Sequence, residues 1–378
     1  MHVPVGKPYL DDDDRKFVLD ALEKGAISGF FGEYIERFEK EFSAYCGAKY
    51  GVAVSAGTTA LHLATATLKL QPGDEVLTSA FTNMATFFSI IYQGATPVPI
   101  DSEPDTWNMD PVLLEAKITP RTKAIMVVHI YGHPADMNPI MAIAKKHNLL
   151  VIEDAAEAHG AEYNGKRVGS FGDIGCFSFY ANKIITTGEG GMIVTDNQEY
   201  AERGKMLKSL AFGKAGEDKF IHQDLGFNYR MPNLQAAIGC AQMKKIDWLI
   251  EQKRDLAHYY TEHLKDIPEV RLPVEKPYAK NVYWVYYLVL QGALKGKRNA
   301  IIAALKEKGV ESREGFMPFN TQKEILTKGL SKPGDCPVAE DIGANGLYLP
   351  SGPILTPEER EYVVATFREV TRSFGAQA

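Results

Sequence analysis

KAIMVVHIYGHPADMNPIMAIAKKHNLLVIED, Lys123 to Asp154, contains three patterns in succession. KAIMVVHIY is a short run dominated by apolar residues. NPIMAIAKKHN places apolar residues three and four positions apart, the period of a helix that buries one face. LLVIED is again wholly apolar until its last two residues. A strand with no polar face needs cover on both sides, and a crossover helix supplies it, so this stretch predicts a βαβ unit with parallel strands. The same alternation extends outward. YGVAVS from Tyr50, EVLTSA from Glu75, TPVPI from Thr96, IGCFSFY from Ile174 and GMIVTD from Gly191 read as further strands. TALHLATATLKL and ATFFSIIYQ read as helices between them. From about Tyr50 to Asp196 the pattern predicts an α/β fold with a mostly parallel sheet covered on both faces.

The chain has 378 residues, 45% hydrophobic and 24% charged, enough for a large core shared by two unequal domains. Beyond Met231, NLQAAIGCAQMKKIDWLIEQKRDLAHYYTEHLKDI keeps helical periodicity and predicts a long connection from a large domain, 1–245, to a small one, 246–378. In the second part VYWVYYLVLQ reads as a strand, with helices from Arg298 to Lys308 and from Pro357 to Phe374, which suits a compact α+β unit. A net charge of −6 argues against holding nucleic acid by bulk electrostatics. Cys46, Cys176, Cys240 and Cys336 stand without a CxxC pair, which fits a reducing compartment. The start, MHVPVGKPYLDDDDRK, has neither the basic nor the apolar region of a signal peptide, and no stretch approaches about 18 uninterrupted apolar residues. A cytoplasmic protein without a membrane span is expected.

Three features suggest metal or nucleotide chemistry and have plainer readings. The acids Asp11 to Asp14 suit a helix start, where the dipole and solvent stabilise them. GAEYNGKR, Gly160 to Arg167, has the glycine and lysine spacing of a phosphate-binding loop but ends in Arg167, where Ser or Thr is needed, and does not follow a strand directly. His129 and His133 leave a strand into a Gly/Pro turn, so they would not share one helical face as zinc ligands. No metal site is expected.

VIEDAAEAHG, Val151 to Gly160, sets Glu153 and Asp154 at the carboxyl end of an apolar strand, where open α/β sheets build their ligand clefts. A carboxylate there also serves as a helix cap. Lys183 in SFYANKIITTGEGG is flanked by apolar and small residues and followed by a glycine-rich turn. Desolvation at such a place lowers an amine's pKa and frees it to form a Schiff base; an ordinary lysine snorkelling from a strand end fits the same pattern. SAGTTALHLA, Ser55 to Ala64, brings glycine, hydroxyls and free N–H groups to a strand-to-helix junction, which makes either an anion site or a routine capped helix.

Read together and in order, SAGTTALHLA, ITPRTKAIMVVHIYG, VIEDAAEAHG, SFYANKIITTGEGGM and GFNYRMPNLQAAIG resemble the DegT/DnrJ/EryC1/StrS family of sugar aminotransferases over nearly the whole chain. The resemblance implies the type I, aspartate aminotransferase-like fold of pyridoxal 5'-phosphate enzymes, with a seven-stranded sheet in the large domain. It implies Lys183 as the lysine joined to the cofactor, Asp154 as the partner of the pyridine nitrogen, Glu157 as the neighbouring acid, and Ala156 against the ring. Phosphate contacts are implied for Gly57, Thr58 and Ser178, and for Asn228 reaching in from the other subunit of a homodimer with shared active sites. L-glutamate is the implied amino donor and a keto or aldehyde sugar the acceptor.

The overall look is of synthases that aminate C-4 of a nucleotide-linked 4-keto-6-deoxy sugar in surface polysaccharide synthesis. A side branch that dehydrates the sugar has histidine where this chain has Lys183, which favours transamination here. Departures bear on the acceptor: Asn83 replaces a usual aromatic, Ala26 a usual tryptophan, and Asn320 a common histidine, while Arg313 remains as an expected anion contact. A free acidic sugar such as an octulosonate aldehyde, of the Kdo8N type, competes as substrate. A regulatory sensor without turnover is a further reading, supported by no helix-turn-helix pattern and no basic patch.

Overall fold

The computed structural model describes residues 1–213 and 220–376. Part of the loop from Phe212 to Asp224, expected to shape acceptor choice, lies outside the described residues. The chain opens with α1 (Asp12–Glu23) and α2 (Glu33–Cys46). An alternating stretch follows: β1 (Tyr50–Val54), α3 (Gly57–Thr67), β2 (Glu75–Ser79), α4 (Met84–Tyr92), β3 (Thr96–Ile100), β4 (Thr122–Val128), α5 (Met137–His147) and β5 (Leu150–Asp154). The short strands β6 (Glu162–Tyr163) and β7 (Lys166–Arg167) lead to β8 (Ile174–Ser178), β9 (Gly191–Thr195), α6 (Gln198–Leu207), α7 (Asn233–Met243) and α8 (Ile246–Leu264). The rest comprises β10 (Val270–Arg271), β11 (Ala279–Lys280), β12 (Tyr286–Leu290), α9 (Arg298–Glu307), β13 (Arg313–Glu314), α10 (Lys323–Thr327), α11 (Pro337–Asn345), β14 (Gly346–Leu349) and α12 (Pro357–Gly375).

Seven strands form one sheet in the order β1-β9-β8-β5-β4-β2-β3. β9 runs against both its neighbours and the other pairings are parallel, so six strands point the same way. The apolar runs explain the topology: β2 and β8 are buried at every position, as strands covered on both faces must be. One face packs against α2 through Phe38 and Phe42, which meet Phe177 and Phe179 in a fully buried aromatic cluster. The other face packs against α3. A second sheet, β10-β12-β14-β13, has its own core with α9 and α12.

Packing does not divide the chain at 245/246, where the boundary was expected. Val3 bridges to Val310 and packs in the second core, because its backbone pairs with the chain after α9. α8 buries Leu249 and Ile250 in the first core and Leu256, Tyr260 and Leu264 in the second. The helical stretch from Asn233 to Ile267 is two helices, broken at Lys245 (φ −126°, ψ 8°). Lys245 Nζ lies 2.6 Å from both Asp11 and Asp14, and Lys244 pairs with Asp13. The acid run is therefore a helix start, with Asp11 and Asp14 forming a reciprocal capping box. In GAEYNGKR, Asn164 and Gly165 both take positive φ and turn the β6–β7 hairpin, the usual use of an Asn-Gly pair. VYWVYYLVLQ is a strand only from Tyr286, because Val282 and Trp284 donate their amides to Gly132 and Tyr131 instead of to the second sheet.

Candidate active site

The carboxyl ends of β1, β8 and β5 meet along one edge of the large sheet, and residues following them line a cleft of about 320 Å³. This edge is where open α/β sheets place ligands.

Asp154 ends β5. Its buried carboxylate accepts from Thr86 Oγ1 at 2.8 Å on Oδ2 and from Ala156 N at 3.2 Å on Oδ1. Thr86 Oγ1 also lies 3.0 Å from Thr82 Oγ1. Burial pushes the Asp154 carboxyl above its ordinary value, and the Thr86 and Ala156 hydrogen bonds and the Lys183 charge work against that push. Glu153, one residue earlier, lies on the other side of the strand. It accepts from Gly169 N at 2.7 Å, Phe171 N at 2.6 Å and Gly172 N at 2.8 Å, and its Oε2 lies 3.1 Å from His129 Nε2. Ala135 N donates to His129 Nδ1, so the imidazole proton sits on Nε2 and is donated to Glu153. Glu153 and His129 are thus a structural pair, and only Asp154 faces the cleft. His133 is engaged elsewhere, with Pro134 O and Lys276 N.

Glu157 brings a second acid to the cleft. Its Oε2 accepts from Tyr131 N at 2.7 Å, an amide presented by the left-handed backbone of Tyr131 (φ 53°). Burial raises the Glu157 carboxyl to about 7, against the pull of Lys183 and the Tyr131 hydrogen bond.

Lys183 follows β8 in a turn closed by its own N–H to Tyr180 O at 2.9 Å. Its Nζ lies 3.6 Å from the centre of the Trp284 ring, and Trp284 Nε1 donates to Asn182 O at 2.7 Å. Burial lowers the amine's pKa; the charges of Glu157 and Asp154 oppose it. An amine that loses its proton readily is what nucleophilic chemistry requires.

The third component is an anion seat. Thr59 Oγ1 accepts from the N-cap amide of Ala56, but among the described residues no side chain accepts from Gly57 or Thr58, the first residues of α3, which line the cleft at the positive end of the helix dipole. Ser178 faces them across a close contact: a Cβ on Gly57 would stand 2.6 Å from Ser178 Cβ, so glycine is what lets the helix start approach β8. Trp284, Phe316, Tyr348 and Tyr180 wall the cleft with aromatic surface. Phe316 is held by stacking on Tyr131, with ring centroids 5.2 Å apart.

Lys183, Asp154, Glu157, Ala156, Gly57, Thr58 and Ser178 thus stand in one cleft. Asn83 lines it too, while its side chain accepts from Ala85 N at 2.9 Å and caps α4. Arg313 is exposed on β13, opposite Tyr348. Asn320 is not brought to the cleft: it is fully buried and donates to Glu340 and to Lys332 O, tying the turn after β13 to α11. Asn228 is exposed beside Ser209 and does not line its own chain's cleft. Thr86 and Trp284 escaped the sequence reading, which treated them as helix and strand residues. The usable signal for Thr86 was a hydroxyl in the first turn of an otherwise apolar helix after a strand's carboxyl end.

The model of the DegT/DnrJ/EryC1/StrS aminotransferase family matches residues 8–368. This chain belongs to that family. It is 42% identical to the GDP-perosamine synthase of Caulobacter vibrioides over 372 residues, 97% of this chain and 98% of that one. Among solved structures it is similar to the aminotransferase from Psychrobacter cryohalolentis (31% identity, TM-score 0.92, covering 98% of this chain and 100% of that one). It is also similar to the PLP form of Spr1654 from Streptococcus pneumoniae (26%, TM-score 0.93, covering 99% and 100%). With its family the chain is a pyridoxal-phosphate-dependent aminotransferase of the type I fold, and the cleft's donor set fits the cofactor: an amine for its aldehyde, a carboxylate for its ring nitrogen, and an anion seat for its phosphate.

Proposed function

We propose that this enzyme transfers an amino group from L-glutamate to a keto sugar used in surface polysaccharide synthesis, the first choice being a nucleotide-linked 4-keto-6-deoxyhexose. The observation that carries the reading is the convergence of a desolvated Lys183 amine, Asp154 and the helix start at Gly57 and Thr58 in one aromatic-walled cleft. The similarity to the Caulobacter enzyme supports the choice of acceptor.

Pyridoxal phosphate, when bound, supplies an electron-accepting ring. The protein's part is to position it and move protons. Asp154 would hold the proton of the ring nitrogen, and Thr86 and Ala156 orient Asp154. Gly57, Thr58 and Ser178 hold the phosphate, and Glu157 stands beside Asp154 as a second acid. Lys183 would take the proton from the donor's α-carbon and deliver it, and burial, which lowers its pKa, favours that work. Arg313 receives the donor's carboxylate, and Asn83 faces the acceptor.

We place the enzyme in a homodimer in which Asn228 completes the partner's phosphate seat. Its exposure outside its own cleft, beside the exposed apolar side chains Ile221 and Leu225, supports this. The location is cytoplasmic on this reading. All four cysteines are free and buried, and among the described residues no helix is long and apolar enough to cross a membrane.

The test incubates the purified protein with L-glutamate and a panel of 4-keto-6-deoxy nucleotide sugars and acidic sugar aldehydes, followed by mass spectrometry. Amino sugar formation, abolished by Lys183→Ala, supports the proposal. A ketodeoxy product, or amination of the acidic aldehydes alone, overturns it.

A further inference from the structure

α8 carries a second buried lysine behind the active-site lysine. Lys253 is 6% exposed, and among the described residues its ammonium bonds to no carboxylate: Nζ donates to Trp284 O at 2.8 Å and to Ser351 O. Both acceptors are held from behind. Ser351 Oγ accepts from Tyr286 N at 2.9 Å and donates to Leu349 O at 2.7 Å, while Trp284 N donates to Tyr131 O at 2.9 Å. The indole of this same Trp284 covers Lys183 Nζ. Lys183 and Lys253 also both line a narrow pocket of about 20 Å³, room for a single water. Burying an unpaired ammonium is costly, and α8 places this one between the large-sheet and small-sheet cores. A cation kept there at such cost invites a role.

We propose that Lys253 is a positioning residue for the reaction: it anchors Trp284 over Lys183 and sets a positive charge behind that amine, so that Lys183 offers its free base to the cofactor and the substrate. The inference rests on the reading of Lys183 as the cofactor-linked lysine. The groups facing Lys183 are Asp154 and Glu157 from the end of β5, His159 from the turn beyond them, and Lys253 from α8. Lys7 and Tyr9 line the shared cavity from the N-terminal segment. The two acids favour a charged Lys183, and burial holds His159 neutral, down at about 3. The charge of Lys183 disfavours a charged Lys253, and such coupling between two like charges is mutual. Burial, and then the charge of Lys183, push Lys253 itself down to about 7.

The test measures the Lys183 amine directly in the full-length chain purified free of cofactor. Competitive labelling with fluorodinitrobenzene across pH, read by peptide mass spectrometry, reports its titration midpoint against exposed Lys123 as reference. In Lys253→Met the Lys183 midpoint rises by about one pH unit, and labelling at neutral pH falls about tenfold. Lys253→Arg restores the wild-type midpoint, and Lys123 is unchanged throughout. Should the Met variant fail to fold, Lys253→Gln keeps a donor for the two carbonyls without the charge and carries the same expectation. A Lys183 midpoint that stays at the wild-type value in a folded, uncharged variant overturns the proposal. Because labelling reads the amine and not turnover, failure of the sugar assignment would leave this outcome intact.

Discussion

Replacing Thr86 with valine removes one hydroxyl and nothing else of comparable size, and it is expected to slow amino transfer by roughly 10- to 100-fold. The magnitude follows from the geometry. Asp154 has two protein donors, Thr86 Oγ1 at 2.8 Å and Ala156 N at 3.2 Å, and the shorter one is lost. A buried hydrogen bond to a charged group contributes about 1.5–3 kcal/mol, and each 1.4 kcal/mol is about tenfold in rate or affinity. The carboxylate form of Asp154 carries the loss, because burial already favours its neutral form. A neutral Asp154 no longer keeps the ring nitrogen protonated, so the loss falls on the proton-transfer step more than on folding. Single-turnover measurement with L-glutamate as the only substrate isolates that half-reaction. Thr82→Val, one hydroxyl further from the carboxylate, serves as control and costs less than about threefold. A Thr86→Val rate within twofold of wild type, with cofactor bound, would refute the assignment of Thr86 as the residue that orients Asp154.

Glu157→Gln is expected to flatten the pH dependence of stability. The folded Glu157 titrates at about 7 against an ordinary 4.5, so its contribution is fully present below 4.5 and is lost as pH rises through 7. The cofactor-free wild type thus loses up to about 2–3 kcal/mol between pH 5 and 8.5 that the variant keeps, measured by denaturant midpoints. Gly57→Ala puts a methyl group against Ser178 and weakens cofactor binding about tenfold with little change in melting temperature, read by fluorescence titration. Glu153→Ala leaves four N–H donors, two buried and two half-buried, without their acceptor and destabilises the fold by about 3–5 kcal/mol, seen in urea unfolding.

The alternating apolar runs decided the sheet, because a strand covered on both faces has no solvent-facing side and so lacks the regular polar alternation of a half-exposed strand, a difference visible in one dimension. The positions of Lys183 and Asp154 were legible for a related reason: Asp154 ends one such strand and Lys183 comes shortly after another, while their proposed roles came from the family resemblance. The dividing line within the chain was less legible. α8 has one apolar stripe but two partners, and a stripe does not say what covers it. Asn320, read as a substrate residue, is instead tied to Glu340, a partner 20 residues away that local pattern does not reveal.

What the amino-acid sequence by itself determined was the layered α/β plan, which is written in local periodicity; for Lys183 and for the acids at the end of β5 it gave a position relative to strand ends, and the resemblance to a family proposed their roles. Only the tertiary structure decided which of Glu153 and Asp154 faces the cleft, what orients that acid, and what lies against the lysine. Adjacent residues on a strand point to opposite sides, so the choice between them depends on which side carries the donors. Those donors, Thr86 for one acid and the His129 ring for the other, and the Trp284 and Lys253 pair behind Lys183, come from segments distant in the chain and meet only when the sheet and its helices close around them.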